Sequence, residues 1–301
     1  MKRLSVCICV LSTSFLAGCA GAVPGTPGAT SGPLKVVATF YPLAEFSRAV
    51  GNGYVDVTTI TPAGAEPHDY EPTAQDIGRV QSAAVFLANG GGVDTWADKA
   101  DTGNARVLRV QNFLPLDTAT GTANESPLDP HVWLDPVLAQ TIVTHIRDAL
   151  TAADPAHVAD YEKNATAYTH ELQALDTAYK TGLATCGIKS IISSHNAFHY
   201  MAKRYGFQLI SISGLSPDSE PSAKELAATA DTARTNNIRY IFFETLVSPK
   251  LAQTIAKEVG ADTLVLNPLE GLTSEDIRAG KNYLSIMREN LHNLRTAMQC
   301  Q

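Results

Sequence analysis

Residues 154–183 read DPAHVADYEKNATAYTHELQALDTAYKTGL. Asp154-Pro155 is a helix start, a capping residue followed by the one residue suited to the first helical position. From there Val158, Tyr161, Ala165, Tyr168, Leu172, Leu175 and Tyr179 recur at alternating three- and four-residue steps. That spacing puts one apolar seam along a single helix. Neither Gly nor Pro interrupts it before Gly182. At about 1.5 Å per residue the helix reaches about 40 Å, enough to cross the whole molecule. The stretch therefore predicts a rigid spine joining two lobes.

On both sides of the spine, short apolar runs alternate with helical patterns. Before it, residues 35–39, 55–60, 83–88 and 107–110 read as strands, and 42–50, 73–82 and 136–152 as helices. After it, 190–193, 208–213, 239–243 and 262–266 read as strands. Helices are expected at 197–205, 221–236, 249–259 and, as one element, 274–298. Such alternation argues for an α/β fold: two βα lobes, each with a mainly parallel sheet flanked by helices, joined by one long linker helix. The halves match in style but not in residues, so no internal repeat is assigned. Gly90-Gly91-Gly92 follows a strand, but no Gly-Lys-Ser/Thr comes after it, and a strand-to-helix turn explains it better than a phosphate loop. The expected division is 1–18 signal peptide, 19–33 tether, 34–153 N-terminal lobe, 154–185 linker helix and 186–301 C-terminal lobe.

The formal charge of −7 and the lack of any long basic run argue against nucleic acid as a partner. Lys2 and Arg3 precede an apolar run over 4–16, too short to span a bilayer as a lasting helix, so the start reads as a signal peptide. Leu16-Ala17-Gly18-Cys19 resembles a bacterial lipobox, which implies Cys19 as the lipidated N-terminus of a chain anchored on the extracytoplasmic face of the membrane; an ordinary cleaved signal with Cys19 incidental is the alternative. Residues 20–33, rich in Gly, Pro, Ala, Ser and Thr, read as a disordered tether. Cys186 and Cys300 then remain. An even pair in an exported chain suggests a disulfide clipping the C-terminal segment to the start of the second half; two free buried thiols are the alternative.

Chemistry concentrates in four loops. Leu128-Asp129-Pro130-His131-Val132-Trp133-Leu134-Asp135-Pro136 sets His131 between two Asp-Pro steps, which stiffen the backbone around it. His68 lies in the loop after the second strand, and His195 directly follows a strand in Ser193-Ser194-His195-Asn196. Glu270 holds the equivalent place after the last strand. Ligand sites of βα folds gather in such loops. His145, His157, His170 and His292 fall inside helices and are expected at the surface. Three neutral imidazoles and one carboxylate, two donors from each lobe, make a tetrahedral shell for Zn²⁺. Taken one by one, the same residues also suit buried, hydrogen-bonded roles.

The segments Ala65-Glu66-Pro67-His68-Asp69-Tyr70-Glu71-Pro72-Thr73, Asp129 to Pro136, Ser194-His195-Asn196-Ala197-Phe198 with Tyr205-Gly206, and Asn267-Pro268-Leu269-Glu270-Gly271-Leu272-Thr273 occur in order. Together they resemble the solute-binding lipoproteins of bacterial zinc and manganese ABC importers, the cluster A-I family, over residues 34–298. The resemblance implies a two-lobed fold with a single linking helix, and His68, His131, His195 and Glu270 as metal ligands. It implies a monomeric binding protein, not an enzyme, that captures a metal ion and hands it to a membrane permease driven by a separate ATPase. Histidine at the third position favours zinc, whereas manganese-type relatives usually place a carboxylate there. One departure runs the other way: 113–127 contains no histidine, where zinc-type members often carry a His-rich loop. Mn²⁺ or Fe²⁺ is the alternative cargo. His199, one turn beyond His195, is expected on the helix surface or behind the site rather than as a ligand. Glu244 is read as either an acceptor behind the site or a strand-end cap. From other classes, a zinc hydrolase needs an open coordination position and a placed base, and a lipid-anchored adhesin role, which some relatives have been given, does not exclude transport.

Overall fold

The computed structural model describes residues 32–118 and 128–301. The expected signal peptide, Cys19 and the tether up to residue 31 lie outside the described residues, as does 119–127 of the histidine-free loop. Among the described residues the strands form two four-stranded sheets, parallel throughout. The first contains β1 (Leu34–Ala38), β2 (Val55–Thr59), β3 (Val85–Ala88) and β4 (Arg106–Arg109) in the order β2-β1-β3-β4. The second contains β5 (Ser190–Ser193), β6 (Gln208–Ser211), β7 (Tyr240–Phe243) and β8 (Asp262–Val265) in the order β6-β5-β7-β8. Every residue of β3 and β5 is buried, as expected for strands covered on both faces.

Helices α1 (Tyr41–Gly51), α2 (Ala74–Gln81) and α3 (Pro136–Ala153) flank the first sheet; α5 (His199–Tyr205), α6 (Ala223–Thr235) and α7 (Lys250–Val259) accompany the second. The spine, α4 (Val158–Gly182), starts later than the sequence suggests. Pro155–His157 form a 3₁₀ turn, and the Asp154 carboxylate accepts from Tyr161 Oη at 2.8 Å instead of capping the helix. Of the seam read from the sequence, Tyr161, Ala165, Leu172, Leu175 and Tyr179 are buried, while Val158 and Tyr168 are half-buried. Tyr179 Oη donates to the Met287 carbonyl at 2.7 Å, tying the spine to the last helix.

That last helix is a correction. Residues 274–298 form two helices, α8 (Ser274–Arg278) and α9 (Tyr283–Met298). Gly280 adopts φ +67 between them, and Asn282 caps the new helix by accepting from Ser285 N at 2.9 Å. The apolar spacing runs through this break, but a positive φ stops a right-handed helix.

One apolar core crosses both lobes, running from Val36 and Phe46 through Trp133, Leu172 and Tyr179 to Phe242 and Leu294. Smaller clusters lie elsewhere on each sheet, around Phe86 in the first and Ile241 in the second. Cys186 and Cys300 are disulfide-bonded, joining the C-terminal segment to the start of the second half.

Candidate metal centre

All four ligand-type residues lie beyond the C-terminal ends of strands: His68 between β2 and α2, His131 before α3, His195 after β5, and Glu270 after β8. The His131 turn is held from the opposite lobe. Trp133 is fully buried, its indole N–H donates to the Pro268 carbonyl at 2.8 Å, and Tyr283 Oη donates to the Trp133 carbonyl at 2.6 Å. Asp135 caps α3 by accepting from Val137 N at 2.8 Å. Asp129 accepts at one oxygen from both the backbone N–H of His131, at 3.0 Å, and its ring Nδ1, at 2.8 Å.

His195 is held the same way. Glu244 Oε1 accepts from its backbone N–H at 3.1 Å and its Nδ1 at 2.7 Å. This decides between the two readings of Glu244: it is the acceptor behind His195. Glu270 is positioned through its loop. Asn290 accepts from Asn267 N at 2.9 Å and donates to Asn267 O at 2.7 Å, while Asn267 Oδ1 accepts from Leu269 N at 2.8 Å. Leu269 sits at φ +58, a conformation costing a leucine about 1–3 kcal/mol, which these bonds offset. The His68 loop is tied down by Gly64 N donating to Leu272 O at 2.9 Å.

The four side chains converge. His131 Nε2 and His195 Nε2 are 3.2 Å apart; Glu270 Oε1 lies 3.2, 3.3 and 3.4 Å from the Nε2 atoms of His131, His195 and His68. All four donors fall within 4.8 Å of one another. His131 and His195 are completely buried and Glu270 is 1% exposed. Both Glu270 oxygens and His68 Nε2 are buried without a hydrogen-bond partner. With Nδ1 of His131 and of His195 donating to carboxylates, the neutral rings turn Nε2 lone pairs towards each other. A buried space lined by lone pairs and a carboxylate is repulsive until a cation fills it. For bonds of about 2.0–2.1 Å, a tetrahedral shell has donor separations of about 3.3 Å; the His131–His195 contact and the three to Glu270 lie at 3.2–3.4 Å.

Electrostatics follow the same logic. Burial alone pushes the Glu270 carboxyl up, but the His195, His131 and His68 rings outweigh it and hold it well below the usual range. Burial lowers His68. In His195 burial also acts downwards, but the Glu244 and Glu270 carboxylates raise it well above an ordinary imidazole. Burial and the neighbouring Glu270 charge push Glu66 up to about 9. Sequence reasoning quoted Glu66 and Asp129 within motifs but assigned neither a partner. An acid two residues before His68 and before His131 was the available signal.

The remaining histidines stand apart from the cluster. His199 is half-buried with Nε2 3.2 Å from Asp117, and is no part of the donor set. His170 and His292 are exposed as expected. The other two correct that expectation: His145 is half-buried, stacked on Phe113, and His157 is half-buried against Tyr54 and Asp154.

The family model described as zinc-uptake complex component A, periplasmic (ZnuA), matches residues 36–297. The chain belongs to the ZnuA family. It is 40% identical to the zinc-binding lipoprotein AdcA of Streptococcus pneumoniae over 98% of its own length, but spans only 61% of that relative. It is 38% identical to the high-affinity zinc uptake system protein ZnuA of Bacillus subtilis, covering 96% of each chain. The crystal structure of the Zn(II)-bound ZnuA-like domain of S. pneumoniae AdcA superposes with a TM-score of 0.77 at 42% identity, over 89% of this chain and 99% of that one.

Proposed function

We propose that this protein captures one Zn²⁺ between its lobes, with His68, His131, His195 and Glu270 as the ligands, and delivers it to the permease of an ABC importer energised by a separate ATPase. The observation that carries this reading is the donor set itself: three imidazole nitrogens and one carboxylate oxygen, buried and spaced for a tetrahedral shell. The carboxylate offsets half the ion's charge. Four protein ligands leave no coordination position for an attacking water, so the site binds rather than catalyses. Three nitrogens against one oxygen favour zinc over the harder Mn²⁺. The protein works as a monomer, tethered through a lipidated Cys19 to the extracytoplasmic face. The core shared by both lobes, with the spine crossing them, restricts uptake and release to loop shifts and small tilts.

Native mass spectrometry of the metal-stripped protein, offered equimolar Zn²⁺ and Mn²⁺, tests this. One zinc per chain is expected, lost in His195→Ala. Preferential manganese uptake, or zinc retained undiminished by His195→Ala, overturns the reading.

A further inference from the structure

We infer that Tyr200 is a positioning residue: from α5 it reaches the opposite lobe and, through Asp129, sets where the His131 ring stands relative to His195. The inference rests on the zinc-binding reading above. Helix α5 starts four residues after His195, so it moves with that histidine's loop. Tyr200 is only 5% exposed, and its hydroxyl makes two bonds across the cleft. It donates to the Asp129 carbonyl at 2.9 Å and accepts from the Asp117 N–H at 2.8 Å.

Asp117 and Asp129 are themselves paired, Asp129 N donating to Asp117 O at 2.9 Å beside the antiparallel bridge Thr118–Leu128. The hydroxyl therefore pins both strands at the base of the loop that leads to His131. Asp129 passes the constraint on, because its carboxylate holds both the backbone and the ring Nδ1 of His131. Two hydrogen bonds separate a side chain of the C-terminal lobe from a donor of the N-terminal lobe. The same helix grips Asp117 a second time, with Lys203 Nζ at 2.7 Å and His199 Nε2 at 3.2 Å from its carboxylate. That outer grip is solvent-exposed and weaker. The buried phenol carries most of the coupling, since its loss leaves a buried carbonyl and an N–H unpaired.

Tyr200→Phe keeps the ring and its packing and removes only the two bonds. Tyr161→Phe is the matched control, removing a hydroxyl that donates to Asp154 at the foot of the spine, outside the donor cluster. In the full chain, zinc release into excess chelator is expected to accelerate about tenfold in Tyr200→Phe, as for other groups that orient a ligand at one remove. The visible absorption of the Co²⁺-loaded protein, which reports donor geometry, should shift with it. Tyr161→Phe should change neither. Combined with Asp129→Asn, the acceleration should fall short of the product of the two single effects, because both act on one ring. If Tyr200→Phe does not fold, Lys203→Met reads the same clasp from its exposed side, with a two- to threefold acceleration expected. Wild-type release and spectrum in Tyr200→Phe, or full additivity with Asp129→Asn, overturn the inference while leaving zinc binding intact. A wild-type chain that takes no zinc overturns both.

Discussion

In the N-terminal lobe the crevice between β1 and β3 is filled by Asp94, whereas in the C-terminal lobe the equivalent crevice between β5 and β7 presents His195 and Glu244. Both sheets are wound in the same order, so both have a switch point there, where open α/β sheets keep their ligands. Asp94 is 2% exposed and accepts from Thr39 Oγ1 at 2.7 Å, Asn89 N at 2.7 Å and Gly90 N at 2.8 Å. The glycines 90–92, all at positive φ, let the chain wrap this carboxylate. With its crevice closed from inside, the N-terminal lobe supplies its donors from loops beyond its two outer strands. The C-terminal lobe supplies one from the crevice and one from an outer strand. Topology creates equivalent places; the side chain at each decides whether it binds or seals.

The sharpest way to break this contrast is to remove one donor from each lobe. His195→Ala should weaken zinc binding by about a thousandfold or more, since one of the four proposed ligands is lost from a fully buried site and Glu244 is left without its ring partner. Carboxylates accept from Nδ1 of His131 and His195, whereas at His68 the nearby Glu66 accepts from the backbone N–H, so His68→Ala should cost less. Chelator competition measures both, and equal losses would erase the asymmetry.

Next in size is the effect of pH. In the metal-free protein the Glu244 and Glu270 carboxylates raise His195 well above an ordinary imidazole, overcoming the effect of burial, and so favour a proton on a ring that zinc requires neutral. Zinc needs the lone pair, so binding expels that proton. Acid favours the competing protonated form; affinity should therefore fall as pH drops, about tenfold per pH unit for one proton released. Calorimetry in buffers of different ionisation heat counts the proton, and none released at pH 7 contradicts the assignment.

The smallest effect concerns the sealed crevice. Asp94→Asn should lower the unfolding free energy by about 1–3 kcal/mol, because one amide oxygen cannot replace two carboxylate oxygens for three buried donors. Zinc affinity should change by less than about threefold. A thermal melt and a zinc titration of the same sample separate the two, and a large affinity loss would show that the seal takes part in binding.

Much of this was legible in the chain. The spine seam, the strands and the placing of His68, His131, His195 and Glu270 in loops beyond strands all rest on short-range periodicity. The motif order then pointed to the family. The break at Gly280 escaped because apolar spacing continues across it from Ile277 to Leu284, and a lone glycine inside such a pattern is compatible with a helix. The acceptor behind His195 was undecided because Glu244 lies 49 residues away.

What the amino-acid order determined alone was most of the helices and strands, the break at Gly280 and the start of the spine excepted, and which loop residues carry lone pairs. These follow from backbone preferences and the solvation of neighbouring side chains, which act over a few residues. Only the folded chain decided that Asp129 and Glu244 hold the two inner rings, that Asp94 seals one crevice while its counterpart presents His195, and that Tyr200 bridges the lobes. Hydrogen bonds fade within a few tenths of an ångström beyond their normal length, and only the packing of both sheets on one core sets distances between distant residues that finely.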